Sequence, residues 1–379
     1  MDEIVAEGIA AVDADRVVPL LGLQLWQDIL LAHDLQRSPL PAEHVVGVHP
    51  ATRTVAALTL RRPVARALDV GTGCGAQALL AARHADRVVA TDVNERALEL
   101  ARLNARLNGV DNVEFREGSL FEPVARERFD LIVSNPPFVI SPDNELVFRD
   151  GGHARDDLSR AVVEGMAAHL ADGGVATTLV SRTHDRDEDW SSPLRAWVAG
   201  TGCDAVLIRY VCNDDVGYAV KWAEDGSVDR WLDYYRESGI DQISSGIVVL
   251  RRREGGAGRW VEAVDAPAGP AGSASAQLER MFAGRDLLES NLDLLRARLA
   301  LVPHRLHESL AWRGESYAPQ HLALALDEGA GIEAPVEPAA LRTLFALDGS
   351  RPLDELPDAQ AALPTIRRLL ELGFLERRI

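Results

Sequence analysis

The residues of this sequence with the clearest chemical pattern form a glycine-rich loop. The run Asp69-Val70-Gly71-Thr72-Gly73-Cys74-Gly75-Ala76 follows a short apolar segment and precedes a helical pattern. Glycines at such a junction allow a tight turn and close approach of a ligand to the backbone. The spacing of Gly71, Gly73 and Ala76 satisfies a dinucleotide-binding fingerprint, and Asp92 follows where an acid that binds ribose is expected. The loop therefore predicts a nucleotide-like ligand and leaves a nicotinamide cofactor as one candidate.

A second motif, Ser134-Asn135-Pro136-Pro137-Phe138, ends the fourth predicted strand. Asp69 before the first glycine and Gly75 as an early third glycine give the loop the form D-x-G-x-G-x-G. This form resembles the loop of the class I S-adenosylmethionine-dependent methyltransferases, and Asn-Pro-Pro-Phe/Tyr resembles the motif of members that methylate nitrogen in a planar group. The surroundings are most similar to the release-factor glutamine methyltransferases, whose motif reads SNPPY. Dehydrogenases have no counterpart to this motif, so the resemblance favours S-adenosylmethionine as the cofactor.

The resemblance implies which residues bind S-adenosylmethionine. The loop would face the amino-acid part of the cofactor, and Asp92 would hold both ribose hydroxyls. Ser119 stands where family members often carry an acid that binds the adenine amino group, so the adenine contact of this chain stays open. The implied cofactor-binding residues are Asp69, Gly71, Thr72, Gly73, Gly75, Asp92, Val93, Ser119, Leu120 and Asn135.

The resemblance also implies three catalytic residues, Asn135, Pro136 and Phe138. A planar amide, guanidinium or aromatic amine is a poor nucleophile because its nitrogen lone pair is delocalised. The Asn135 side-chain oxygen and the Pro136 carbonyl would accept the two N–H hydrogens, and proline holds this geometry rigid because it fixes φ. The lone pair would then point at the sulfonium methyl group without a strong base. Phe138 would stack on the planar group.

An acidic segment follows the motif, and Asp143 and Glu145 are its predicted substrate-binding residues. Carboxylates over the substrate mouth would favour a cationic group such as a guanidinium. His153 and His184 are candidate bases, and Cys74 is expected to fill space as a small side chain. No metal site is predicted, since the three cysteines contain no Cys-x-x-Cys pair.

The composition restricts the partners and the location. The 379 residues carry 40 Lys+Arg against 58 Asp+Glu, a net charge of −18, which disfavours nucleic acid and anionic membranes. Lys221 is the single lysine, and its context excludes pyridoxal enzymes and P-loop NTPases, which need a lysine at a defined place. An acidic N-terminus and the lack of an apolar run near ~20 residues predict a cytoplasmic protein.

The elements that must position these residues follow an α/β pattern. Alternating strand and helix signals from about residue 64 predict a Rossmann-like, seven-stranded methyltransferase sheet. A helical N-terminal cap is predicted at 1–60, because apolar residues at 20–31 have helical spacing. The S-adenosylmethionine-binding domain is expected at 61–255, a linker rich in Pro, Gly, Ala and Ser at 256–276, and a mostly helical, winged-helix-like domain at 277–379. The acidic excess of this last domain argues against DNA reading.

Together these patterns predict an enzyme, an S-adenosylmethionine-dependent N-methyltransferase. Its acceptor would be a guanidine or amide nitrogen of an amino acid, peptide or small molecule, with natural-product biosynthesis as one setting. Three alternatives stay open: a methyltransferase for exocyclic amines of guanine or adenine in ribosomal RNA, a release-factor-type glutamine methyltransferase, and a non-catalytic regulatory protein that binds S-adenosylmethionine. Assembly as a homodimer is left open as well.

Overall fold

The chain folds into two units, Met1–Val264 and Asp265–Ile379. They are seen in a computed structural model that describes residues 7–13, 16–143, 146–150, 155–223, 226–255, 258, 260–290 and 292–378. The residues discussed above as candidates for chemistry all belong to the first unit.

Two antiparallel hairpins, followed by a helix, build the N-terminal segment. The hairpins pair β1 (Ala10–Asp13) with β2 (Arg16–Pro19) and β3 (Leu21–Trp26) with β4 (Ile29–Asp34), and α1 is Pro50–Leu58. The prediction of a helix over 20–31 was therefore wrong. Gln27 and Asp28 form the turn of the second hairpin, both with positive φ (49° and 58°), which a two-residue turn of this kind requires. The apolar residues satisfy both the helical and the alternating period, and pairing across this turn selects the strands.

A sheet of eight strands forms the centre of the first unit, in the order β12-β10-β11-β9-β8-β5-β6-β7. Strands β5 to β9 pair in parallel, and β10 and β11 add antiparallel pairs. The strands are β5 (Val64–Val70), β6 (Ala85–Asp92), β7 (Val113–Glu117), β8 (Phe129–Ser134), β9 (Leu170–His184), β10 (Cys203–Asp214), β11 (Gln242–Arg252) and β12 (Val261–Asp265). The predicted Rossmann-like α/β fold is confirmed.

The sheet has one strand more than the predicted seven. Strand β12 lies inside the segment 256–276 that was predicted to be a linker, so that part of the prediction was wrong. Val261 and Ala263 pack against the core on one face of the strand, and Val264 is buried. The glycines and prolines around this short apolar run concealed it in the sequence.

Helices cover the sheet, and two of them carry an aromatic cluster. The helices are α2 (Ala76–Ala82), α3 (Glu95–Leu107), α4 (Val147–Asp150), α5 (Asp157–His169), α6 (Ser192–Val198), α7 (Asp215–Trp222) and α8 (Val228–Glu237). Tyr218 of α7 and Trp231 and Tyr235 of α8 are fully buried against Val139 and Ile140. We call this group the aromatic cluster.

Asn104 of α3 and Asn108, which follows the helix, fasten the second hairpin to the parallel sheet region. Asn104 is fully buried, accepts a hydrogen bond from the backbone N–H of Ala32 and donates to the carbonyls of Ala32 and Cys74. Asn108 makes the same pair of bonds with the backbone of Leu30. Strand β4 and the glycine-rich loop are thus connected through one helix.

The second unit contains helices and two three-stranded sheets, β17-β13-β18 and β14-β15-β16. Its elements are α9 (Ser275–Glu289), β13 (Arg298–Leu301), β14 (His304–Trp312), β15 (Tyr317–Leu326), β16 (Glu333–Pro335), α10 (Leu341–Phe345), β17 (Asp348–Pro352), α11 (Ala359–Glu371) and β18 (Leu375–Arg378). The prediction that 277–379 is mostly helical was wrong, because Leu306 and Leu310 have helical spacing but lie in a paired strand. The winged-helix-like arrangement stays a prediction.

In the part of the chain that the structure describes, no helix is both long and apolar enough to cross a membrane.

Candidate functional site

The carboxyl ends of four parallel strands bring the motif residues together. The glycine-rich loop leaves β5, Asp92 ends β6, Ser119 follows β7, and Asn135 follows β8. Strand β5 lies between β6 and β8, so the chain runs outward in opposite directions on its two sides. A crevice forms at such a reversal, outside the carboxyl ends of the strands. The structure has a cavity of about 340 Å³ at this place.

The described residues that line the cavity come from two groups of segments. The first, which we call the motif side, consists of lining residues within 70–77, 92–97, 118–120 and 134–137. The second, which we call the cover side, consists of lining residues within 44–52 and 147–158. The sequence named residues on the motif side; on the cover side it predicted a segment over the substrate mouth but named none of the residues that line the cavity there.

Asp69 supports the glycine-rich loop from beneath and is not among the lining residues that the structure describes. Its Oδ2 accepts hydrogen bonds from the Thr72 hydroxyl (2.6 Å) and the Ala78 backbone N–H (2.9 Å). Burial raises the pKa of Asp69 to about 7, and the nearby Asp92 carboxylate adds to this rise. Asp69 therefore shapes the loop rather than touching a ligand in the cavity.

The three glycines of the loop all have positive φ, but the space around their Cα atoms differs. Gly71 and Gly73 line the cavity, and a Cβ placed on either would meet no heavy atom of the protein within 4 Å. Gly75 lies behind them, where a Cβ would come within 3.1 Å of the Ala101 Cβ in α3. The first two glycines keep space open for a ligand, and the third permits close packing against α3.

Asp92 connects the loop to the neighbouring strand. Its two carboxylate oxygens accept hydrogen bonds from the backbone N–H groups of Gly73 and Asn94, each at 2.9 Å. Burial raises the pKa of Asp92. The carboxylate lines the cavity and retains lone pairs for further donors such as ribose hydroxyls. Val93, Ser119 and Leu120 lie beside it on the same side of the cavity.

Asn135 has a buried amide oxygen, Oδ1, that lacks a hydrogen-bond partner among the described residues. The Ser134 hydroxyl donates to the Val70 carbonyl (2.8 Å) and ties the start of the motif to β5. Pro136 and Pro137 follow Asn135 along the cavity wall. A buried acceptor without a donor costs free energy, about 1–3 kcal/mol, unless a ligand or water supplies the donor.

Phe138 is not among the described residues that line the cavity. Its ring packs edge-on against Trp222 with 5.7 Å between ring centroids. The backbone after Phe138 is held in the aromatic cluster, where the Ile140 carbonyl accepts a hydrogen bond from the Tyr235 hydroxyl (2.8 Å). The structure thus does not bring Phe138 to the place predicted for a stacking wall. Phe148 of α4 is a phenylalanine among the described residues that line the cavity.

Of the two residues predicted to bind substrate in the acidic segment, Asp143 is among the described residues. Its carboxylate forms an ion pair with Arg230 (2.6 Å) and accepts a hydrogen bond from the Trp231 indole (3.2 Å). Asp143 therefore holds α8 in place and does not line the cavity. Glu145 lies outside the described residues, as does His153. Asn135, by contrast, is among the described residues that line the cavity.

His184 and Cys74 are both buried inside the protein. The His184 ring nitrogens lie 2.8 Å from the Ser244 hydroxyl and 2.9 Å from the Asp185 carbonyl, away from the cavity lining. The structure therefore gives His184 no place as a base. Cys74 lines the cavity, but burial raises the pKa of its thiol to about 11, so it stays neutral at pH 7.

The cover side contains the residues that sequence reasoning missed. Gln24 of β3 holds the segment 44–52 through two hydrogen bonds with the backbone of Val48 (2.8 and 3.2 Å). His44 and His49 line the cavity from this segment, and burial lowers the pKa of both imidazoles. The His44 ring lies 6.0 Å from the ring of Phe148. The apolar run VVGV before Pro50 was the one available signal, and it shows no catalytic residue type.

No group of three or more His, Cys, Asp or Glu side chains that could hold a metal ion exists within the described ranges.

Residues 48–189 match the family model of the methyltransferase small domain. The release factor glutamine methyltransferase of Xylella fastidiosa strain Temecula1 is 43% identical over 122 residues, which cover 29% of this chain and 44% of that protein. The ribosomal protein uL3 glutamine methyltransferase of Bradyrhizobium diazoefficiens is 38% identical over 127 residues, covering 30% of this chain and 40% of that protein. The chain thus spans less than half the length of these relatives.

Among solved structures, wild-type Trm5b of Pyrococcus abyssi aligns with a TM-score of 0.38 and 15% identity, covering 64% of this chain and 62% of that one. The family resemblance predicted from the glycine-rich loop, Asp92 and the Asn-Pro-Pro-Phe motif is confirmed by the family model, whose match includes all three.

Proposed function

We propose that the methyltransferase domain at residues 48–189 transfers a methyl group from S-adenosylmethionine to the side-chain amide nitrogen of a glutamine in a protein. This is the release-factor-type alternative among the functions that the sequence left open. The observation that carries the proposal is the buried, unpartnered Oδ1 of Asn135 at the end of β8.

The residues of the motif side fit S-adenosylmethionine. Gly71 and Gly73 leave an open cradle, which side chains at these positions would fill. The Asp92 carboxylate would accept hydrogen bonds from the ribose hydroxyls, and Val93, Ser119 and Leu120 would contact the adenine. When bound, S-adenosylmethionine supplies an electrophilic methyl group on a sulfonium sulfur.

Asn135 and Pro136 would hold the acceptor amide. The Asn135 Oδ1 accepts one N–H of the glutamine side chain and the Pro136 carbonyl accepts the other. Both acceptors are rigid, because proline fixes φ and Ser134 anchors the strand end to β5. The amide nitrogen is thereby oriented with its lone pair toward the methyl group, and orientation replaces a strong base. As the N–C bond forms, the bond between the methyl carbon and the sulfonium sulfur would break, S-adenosylhomocysteine would leave, and one N–H proton would pass to solvent.

The charge of the cavity supports a neutral amide over a cationic guanidinium. Asp92 is the only carboxylate among the described lining residues, and it already accepts two backbone hydrogen bonds. The Asp143 carboxylate, which the sequence predicted as a ligand for a cation, is ion-paired with Arg230. The two relatives named above carry glutamine methyltransferase in their names, which supports a protein-borne amide over a natural-product setting. The net charge of −18 remains an argument against ribosomal RNA.

The test is transfer of radiolabelled methyl groups to separate acceptor pools. The pools are purified release factors, purified ribosomal protein uL3, unmodified ribosomal RNA, and free amino acids including arginine. We expect label in a protein pool, located by mass spectrometry on a glutamine side chain, and its loss with Asn135→Ala. Label on arginine or on a base of RNA would contradict the proposal. S-adenosylmethionine binding without transfer to any pool would instead favour the regulatory alternative.

A further inference from the structure

Two residues that line the cavity have a buried side-chain atom without a hydrogen-bond partner among the described residues. They are Asn135, through Oδ1, and Gln77, through Oε1. Both atoms are amide oxygens, so both require a donor. The proposed function uses the first and leaves the second unexplained.

The orientation of the Gln77 amide is set by its other end. Gln77 is 5% exposed, and its Nε2 donates a hydrogen bond to the Thr52 carbonyl at 2.9 Å. Rotating the amide by 180° would place Oε1 against that carbonyl, two acceptors facing each other, so Oε1 stays the unpaired atom. All other residues of α2 are Ala or Leu, and a leucine at 77 would avoid the cost of a buried, unpaired acceptor. A hydrogen-bond donor on a bound ligand explains why a glutamine, and not a leucine, occupies position 77.

The position of Gln77 in the fold indicates which donor this is. Asp92 lies at the end of β6, on one side of β5, and Asn135 lies at the end of β8, on the other side. Gln77 bonds to Thr52 of α1, and α1 packs against β9, beyond β8. A ligand whose ribose lies at Asp92 and whose reactive methyl lies near Asn135 therefore extends its remaining, amino-acid part toward Gln77.

We infer that Gln77 Oε1 accepts a hydrogen bond from the α-ammonium group of the methyl donor, which makes Gln77 a binding residue for the amino-acid part. The inference rests on the proposed function for the identity of the ligand. An ammonium group has three donors and no acceptor, which matches an isolated amide oxygen. A hydrogen bond to a charged group is stronger than one between neutral groups, and leaving the acceptor unpaired adds a penalty for ligands that lack the ammonium.

The test compares two ligands on two proteins by isothermal titration calorimetry. S-adenosylhomocysteine carries the ammonium group, and 5′-methylthioadenosine keeps the adenosine and the thioether but lacks the amino-acid part. We expect Gln77→Met to weaken S-adenosylhomocysteine binding about 10-fold or more and to change methylthioadenosine binding less than about 2-fold. Asn112→Ala is the control: it removes an amide that bonds the carbonyls of Ala82 and Ala85 outside the described cavity lining, and it should leave both affinities within about 2-fold.

Three outcomes would overturn the inference. Equal weakening of both ligands by Gln77→Met would show that the residue only shapes the cavity. Unchanged S-adenosylhomocysteine affinity would place the ammonium elsewhere. Slower methyl transfer with unchanged S-adenosylhomocysteine affinity would assign Gln77 to the methyl acceptor. Failure of the proposed function is distinguishable, because wild-type protein would then bind neither adenosine compound, or would bind them and methylate no protein.

Discussion

The motif side and the cover side of the cavity differ in how their residues are held. The motif side is built on the ends of four adjacent parallel strands, and hydrogen bonds such as that from the Gly73 backbone N–H to the Asp92 carboxylate join its segments. The cover side combines a loop held by Gln24, the first turn of α1, the four-residue helix α4 and the start of α5. We propose that the motif side carries the chemistry common to all acceptors, and we expect the cover side to select the acceptor.

The largest effect is expected from the motif side. Asn135→Ala should lower the single-turnover rate of methyl transfer about 100-fold or more, since removal of one positioned hydrogen-bonding group in an active site commonly costs this much. The affinity for S-adenosylhomocysteine should stay within about 2-fold. Rapid-quench kinetics and calorimetry measure the two quantities. A parallel loss of binding and rate would place Asn135 on the cofactor alone.

The glycine-rich loop offers a matched pair, Gly73→Ala and Gly75→Ala. Both place alanine at positive φ, which costs about 1–2 kcal/mol. Gly75→Ala adds contact with Ala101 and should lower the free energy of unfolding further, by about 1–3 kcal/mol. Gly73→Ala should instead lose affinity for S-adenosylhomocysteine, about 10-fold. Urea denaturation measures the loss of stability, and calorimetry measures the loss of affinity. If the two variants lost stability and affinity equally, the separate roles of Gly73 in ligand space and Gly75 in packing would be contradicted.

A second pair, Phe148→Leu and Phe138→Leu, tests which aromatic residue contacts the acceptor. Phe148→Leu should raise KM for the protein acceptor several-fold and leave stability nearly unchanged. Phe138→Leu should lower the free energy of unfolding by about 1–2 kcal/mol, because its ring packs on Trp222, and leave KM unchanged. The reverse pattern would restore Phe138 as the stacking wall.

The cover side should also make donor binding sensitive to pH. Burial lowers the pKa of His44 and His49, so both imidazoles are neutral at pH 7 and become charged only below the ordinary pKa of about 6.5. A cation there repels the sulfonium group. S-adenosylmethionine affinity should be level from about pH 8 to 7 and fall several-fold below about pH 6. A His44→Asn, His49→Asn double variant should lose this fall, and an unchanged profile would exclude these histidines.

The smallest effect concerns the acidic lid. Asp143→Asn breaks the ion pair with Arg230 and should lower the free energy of unfolding by about 1 kcal/mol. KM for the acceptor should not change, because the carboxylate does not line the cavity within the described residues. Steady-state kinetics at low salt measure this. A raised KM for a cationic acceptor would show that the acidic segment contacts the acceptor.

Prediction from the sequence succeeded where position along the chain is enough to place a residue. The loop, Asp92 and Asn135 each end a strand, and parallel strands bring their carboxyl ends to one edge. Prediction failed at residues 20–31, where the apolar spacing fits two periods and the pairing of Leu21 with Asp34 decides for strands. It also failed at Phe138, since its neighbour Trp222 lies 84 positions away in the chain.

The sequence by itself determined which residues form the motif side, because the glycine-rich loop, Asp92 and Asn-Pro-Pro each follow or end a strand of one parallel sheet. Only the tertiary structure decided which residues lie opposite the motif side in the cavity. The burial of Gln77 depends on Thr52 of a separate helix, and the cover side depends on a hairpin fastened through Asn104. Such contacts join residues distant in sequence, and their free energy comes from burial and pairing that no local pattern records.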